Sequence, residues 1–286
     1  MTSDSKKSIT SSQHNRRFPV DLARAYGGAL VFSFPMLMTM EMWRLGFQMS
    51  RFRLGLFMIV GMLLLAGLSF YEGFADTFSG KDDILETFTA YFVGFTTSAV
   101  LLFLFGIITT EMSADEIIGK ISLQAVTAAL GAIFAEAILG GDNEEVEDKK
   151  EEKRTSGYGG QLFLMIVGAV FLAMSLAATE EMLLISYLMT EWQTVGLMIL
   201  TILTMHGFVY AAHFGGSEKL ISPDVSFLSI FLRFTVVGYG IVLLVSFYIL
   251  WTFGMTDDLG SAEKLKAVVV LGFPAALGSA ASRLLL

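Results

Sequence analysis

Residues Gly27–Trp43 read GGALVFSFPMLMTMEMW. Hydrocarbon about 30 Å thick is crossed by roughly 20 helical residues, and this run is close to that length. Its composition is that of a membrane span, yet it carries one carboxylate, Glu41, between two methionines. An ionised carboxylate in hydrocarbon costs several kcal/mol and ordinarily faces a partner or a water-filled path. The reading of Glu41 therefore decides what kind of membrane protein this is.

Working outward, similar apolar runs fall at 27–47, 54–74, 88–110, 119–140, 162–189, 195–214, 230–254 and 267–286. Their apolar character is continuous rather than alternating, which predicts helices and not barrel strands. The whole chain of 286 residues is 54% hydrophobic, with 25 Phe and 16 Met, more than a solvated surface tolerates. The expected fold is all-α and polytopic, with about eight transmembrane helices. Residues 1–25 are polar and basic, without the apolar core and small-residue cleavage site of a signal peptide, and are expected to form a disordered cytoplasmic tail. With no cysteine there are no disulfides and no thiolate ligands or nucleophiles.

The opening stretch has a second copy. AATEEM (Ala177–Met182) matches LMTMEM (Leu37–Met42) at an offset of 140, pairing Thr39 with Thr179, Glu41 with Glu181 and Met42 with Met182. Held without a gap over 39–74, that offset makes nine of 36 positions identical, Gly67 and Gly207 among them. FVGF (92–95) meets VVGY (236–239) at offset 144, and AALGA (128–132) meets AALGS (275–279) at offset 147. Two parallel tandem four-helix repeats are expected, 26–140 and 158–286, joined by a charged cytoplasmic linker at 141–157 and related by a pseudo-two-fold along the membrane normal. YGG opens both units, but at offset 132, which either lengthens the fifth span or is accidental.

Lysine and arginine set the orientation. With an even number of spans, one face holds Lys6, Lys7, Arg16, Arg17, Arg24, Lys81, the linker basics, Lys219 and Arg283, against fewer on the other. Both termini are expected to be cytoplasmic.

Equivalent residues of parallel repeats lie at equal depth, so Glu41 and Glu181 are expected to face one another in the outer half of the bilayer. Facing carboxylates attract a cation or raise one pKa. They are the expected metal or cation ligands, with Glu180, Thr39 and Thr179 beside them. The alternatives are an ion pair of Glu41 with Arg44 one turn on, and threonines satisfying their own helix backbone. His206, His213 and Glu72 lie deeper, and with the outer carboxylates they form a candidate path for protons; a packed core histidine is the other reading of His206. Glu136 and Arg283 correspond at offset 147 and are expected to pair as a structural bridge between the copies.

No aspartate lies in a span interior, no lysine is placed inside a span to carry a Schiff base, and no HExxH, GxSxG, P-loop or dinucleotide fingerprint occurs. Bond chemistry is therefore not expected, nor a cofactor beyond a bound cation, nor nucleic acid as a partner. The segments FPMLMTMEMW, SLAATEEM and AALG, with the span layout, resemble a family of bacterial inner-membrane proteins catalogued as a domain of unknown function, which implies a bacterial inner-membrane location. The expected function is a cation channel or transporter, with Ca²⁺ or H⁺ favoured by hard oxygen ligands. A non-transporting scaffold or sensor is the alternative, and homo-oligomerisation is left open.

Overall fold

The computed structural model describes residues 3–72, 80–139, 158–214 and 231–285, with side chains over 19–70, 84–135, 158–208 and 231–282. Among these residues every regular element is helical. The order is α1 (Ser3–Leu37), α2 (Met40–Gln48), α3 (Arg51–Glu72), α4 (Gly80–Leu104) and α5 (Ala114–Leu139). There follow α6 (Tyr158–Ala177), α7 (Glu180–Leu188), α8 (Glu191–Phe214), a π-helical turn (Phe231–Val236), α9 (Val237–Thr252) and α10 (Ser261–Leu285). The linker expected at 141–157 lies outside the described residues. Residues 3–25, expected to be disordered, continue α1; a helix already nucleated propagates at little cost per residue.

Among the described residues six stretches are long and apolar enough to cross a membrane, and seven if α7 and α8, bent by 118°, are one broken span. Eight unbroken spans were expected; the runs at 27–47 and 195–214 are the two without a span of their own. The runs at 27–47 and 162–189 are each interrupted, after Leu37 and after Ala177, and the second keeps its span at Tyr158–Ala177. Lys120 and Lys266 stand near the starts of the spans in α5 and α10, against the expectation of no lysine inside a span.

Proline does not cause the breaks. Pro35 lies two residues before the end of α1, but the corresponding position before the end of α6 is Ser175. What the breaks share is a threonine in extended conformation, Thr39 at φ −98°, ψ 125° and Thr179 at φ −80°, ψ 139°, each the N-cap of a nine-residue helix. Neither threonine side chain caps the new helix, but acidic residues in the next turn suit its positive end. Glu41, Glu180 and Glu181 occupy those first turns.

Two helices form the interior. α5 packs against α1, α2, α3 and α4, and α10 against α6, α7, α8 and α9. Between helices in lipid, association rests on close packing rather than on removing apolar surface from water, so small residues gather at the contacts. Gly28 of α1 and Gly131 of α5 meet backbone to backbone, as do Gly168 of α6 and Gly278 of α10. Gly131 and Gly278 are the glycines of the two AALG motifs. Ser282 adds a hydroxyl bond from α10 to the Leu164 carbonyl of α6, 2.8 Å.

The turns after α4 and α9 close alike. Gly106 and Gly254 take φ of +70° and +78°, and the following amides, Ile107 and Met255, donate to the carbonyls of Leu102 and Leu250 at 2.9 Å. This is the Schellman cap, for which glycine is the natural residue. The two glycines are 148 residues apart, and at that offset Tyr91, Ser98, Leu102 and Phe105 also match Tyr239, Ser246, Leu250 and Phe253.

The groups α1–α5 and α6–α10 meet through α3 on α6 and α9, and through α5 on α6. Phe32, Phe134 and Phe171 form an aromatic triad with centroids 5.4 to 5.9 Å apart. Phe57 meets Phe253 edge to face at 5.9 Å, and the ring of Phe163 fills the open side of Gly67. A two-fold would have α8 return to α1 and α4 the contact α3 makes. Instead α8 packs on α10 and the π-helical turn, and Gln193, Gly196, Leu200 and Gly207 are exposed along its outer side. Phe134→Ala is expected to cost about 3 kcal/mol of stability, because lipid cannot reach the space vacated. Phe171→Ala should couple to it by about 1 kcal/mol; thermal midpoints of the two single variants and the double variant in detergent measure both.

Candidate functional site

At the first break, Thr39 donates its hydroxyl hydrogen to the Met36 carbonyl at 2.8 Å, and Trp43 donates its indole N–H to the Leu37 carbonyl at 2.8 Å. The Gln124 amide of α5 also reaches the Met36 carbonyl, at 3.4 Å. At the second break Thr179 donates to the Leu176 carbonyl at 2.8 Å. These are carbonyls released where a helix stops, and each is taken up locally. The threonines therefore act first as closures of the preceding helix, and the carbonyls are already engaged.

The carboxylates are not so engaged. Glu41 is half-buried and Glu181 exposed, and among the described residues neither forms an ion pair. Arg44, the expected partner of Glu41, points across to the second break, its Nη1 4.0 Å from Glu180 Oε1. The two short helices α2 and α7 thus approach one another at Arg44 and Glu180. Among the described residues no group of three or more His, Asp or Glu is placed to hold a metal ion.

The deeper residues are elsewhere. His206 of α8 hydrogen-bonds through Nδ1 to Thr235 Oγ1 at 3.0 Å, and its ring stands edge-on to Phe231 at 5.2 Å. It is packed between α8 and the π-helical turn, a geometry that is uncommon and concentrated at functional sites. The side chains of Glu72, His213, Glu136 and Arg283 lie outside the described residues, including the expected Glu136–Arg283 bridge.

Several polar contacts had no signal in the sequence. Arg53, at the start of α3, holds Asp257 in the turn between α9 and α10 by two parallel bonds of 2.7 Å, and lies over Trp251 at 5.0 Å. The residues are 204 positions apart, so no local pattern announces them. Lys266 of α10 donates to the carbonyl of Met189, the residue that ends α7, at 3.0 Å and pairs with Glu191 at 2.9 Å. In the other group Arg51 of α3 pairs with Asp115 of α5 at 2.6 Å. Lys120, largely buried, pairs with Glu116 at 2.7 Å. Ser69 of α3 donates to the buried carboxylate of Glu86 on α4 at 2.7 Å.

Hydrogen bonds from the Arg53 guanidinium hold the Asp257 carboxyl below the usual carboxylate range. Because the folded-state value is the lower one, the pair's contribution is complete above the unfolded value, near about pH 4. It is lost as pH falls through the folded value. Wild type should exceed Asp257→Asn in stability by about 1 kcal/mol at neutral pH. The gap should close in acid, and thermal midpoints at the two pH values test it.

Residues 21–286 match a family model described as "Putative integral membrane protein (DUF2391)". The chain belongs to this family. The match takes in both breaks, both AALG crossings and the Arg53–Asp257 pair, and it agrees with a chain of several membrane-spanning helices. No curated protein and no solved structure matches.

Proposed function

We propose that the chain is a cation channel or transporter of the bacterial inner membrane, with both termini cytoplasmic, built from two parallel tandem repeats. In it Glu41 and Glu181, helped by Glu180, gather cations at a pair of interrupted spans. Ca²⁺ and H⁺ are the ions that hard, ionised oxygen groups favour.

The observation that carries this reading is the matched interruption. Two apolar runs 140 residues apart stop at corresponding positions, restart with an extended threonine, and put a carboxylate at the second position of a nine-residue helix. Interrupted hydrophobic segments at corresponding places in two halves are the best sequence-level pointer to a transporter's binding site. The repeat is supported by the glycine crossings, where Gly28 and Gly168 differ by 140 and Gly131 and Gly278 by 147. It is supported again by the two Schellman caps and by the way α5 and α10 each collect the other four helices of their group. On this register Gly28 corresponds to Gly168, so the YGG match at offset 132 is accidental.

A scaffold without transport is favoured by one observation, the first-turn placement of the carboxylates, which by itself stabilises short helices. Cation flux into liposomes by wild type and by Glu41→Gln/Glu181→Gln separates the two. Flux lost in a folded variant supports transport, whereas no flux in the wild type and a lowered thermal midpoint in the variant support the scaffold.

A further inference from the structure

The contact between the two halves runs one way. On α3 the face that meets the second half carries Arg53, Phe57 and Gly67, which engage Asp257 and Trp251, Phe253, and Phe163. The same face of α8, at offset 140, carries Gln193, Leu197 and Gly207. Nothing lies within 4 Å of the open side of Gly207, and Leu200 on that side is 51% exposed. A glycine matched in both halves is thus used for a ring contact in one and by nothing in the other.

The receiving surface has an unused copy as well. Phe253, 3% exposed under Phe57, corresponds to Phe105, which is 42% exposed. Phe171, in the triad between the halves, corresponds to Val31, which is 70% exposed. Trp251 under Arg53 corresponds to the exposed Phe103. The chain therefore displays both members of a contact it already makes once inside itself, the inserting face on α8 and the receiving face on α1 and α4.

From this geometry we infer that copies of the chain associate head to tail in the membrane, α8 of one chain docking on α1 and α4 of the next as α3 docks on α6 and α9. This rests on the repeat, not on the ion transported. A heterologous contact of this kind either closes into a ring or continues. Because the halves run parallel through the bilayer in the proposed repeat, the next chain enters in the same membrane orientation. The ordinary reading of exposed apolar residues on such a helix is contact with lipid, and it accounts for Leu200 and Phe105 singly. It does not account for the pairing of Gly207, Phe105 and Val31 with residues that are in contact inside the chain; Leu197 beside them is partly buried against its own half.

The chain has no cysteine, so introduced disulfides are read without background. Full-length protein in lipid vesicles carrying Leu197→Cys with Phe105→Cys is expected to oxidise mostly to linked dimers and larger species. Phe57→Cys with Phe253→Cys should close within one chain and thereby report the native contact. Leu63→Cys with Phe247→Cys, both lipid-exposed, sets the collision level. Linking between chains well above that level supports the assembly. A level equal to the collision control, or closure of Leu197→Cys and Phe105→Cys within one chain, overturns it. Two further pairs address the repeat alone, Gly28→Cys with Ala135→Cys and Gly168→Cys with Ser282→Cys. If both close while chains do not link, the assembly fails and the repeat stands; if only one closes, the repeat fails too.

Discussion

Gly168→Leu is expected to leave little protein folded. The added side chain would meet the Gly278 carbonyl and, at 2.7 Å, the Cβ of Ser282. Both obstacles belong to α10, and one is backbone, so no rotamer change relieves the clash. The helices must separate along the α6–α10 contact, breaking the bond from Ser282 to the Leu164 carbonyl. Overpacking in cores costs about 1–3 kcal/mol when side chains can shift, and a backbone obstacle places this variant at or above the top of that range. Lipid offers no compensation, since helices in a membrane are held by the fit itself. Gly240→Leu is the control. That glycine faces open space, so the variant should keep the wild-type thermal midpoint in detergent while Gly168→Leu loses its monodisperse peak on size exclusion. Equal midpoints for wild type and Gly168→Leu would remove the close crossing from the account.

The helical membrane class was legible because apolar runs of the right length need no long-range information. AALG was legible as a repeated motif, and its glycines sit at two of the closest helix crossings. The breaks were not legible as breaks. A threonine followed by carboxylates is an N-cap signal in a soluble chain, but inside FPMLMTMEMW the surrounding composition reads as one span, and composition outvoted the cap. For the same reason Glu41 reads as part of one continuous span, whereas it stands in the first turn of a separate nine-residue helix. Four-residue matches such as FVGF and VVGY arise by chance among apolar helices, whereas the positive φ that Gly106 and Gly254 share is a conformational likeness 148 residues apart, which the sequence alone does not show. Arg53 and Asp257 meet only because the halves dock, and nothing in either local sequence carries that fact.

Cation flux should fall at least about tenfold at low ionic strength when Glu41→Gln and Glu181→Gln are combined, and the deficit should shrink as salt is raised. Two unit charges a few ångströms from an entering ion in a water-rich setting each contribute about 1 kcal/mol, and together that is more than a tenfold change in local cation concentration. Added salt shortens the screening length from about 30 Å at 0.01 M to about 8 Å at physiological strength. Exposure of Glu181 and half-burial of Glu41 place these groups in that screened regime. Direct ligation would behave otherwise, with a deficit that salt leaves in place, so the salt series separates a gathering mouth from a binding site. The threonines give an internal comparison. Thr39 and Thr179 spend their hydroxyl hydrogens on the Met36 and Leu176 carbonyls, so Thr→Val at both should lower the thermal midpoint and leave the salt dependence of flux unchanged. Flux that falls equally in the threonine and glutamate variants would mean that the breaks matter only as structure.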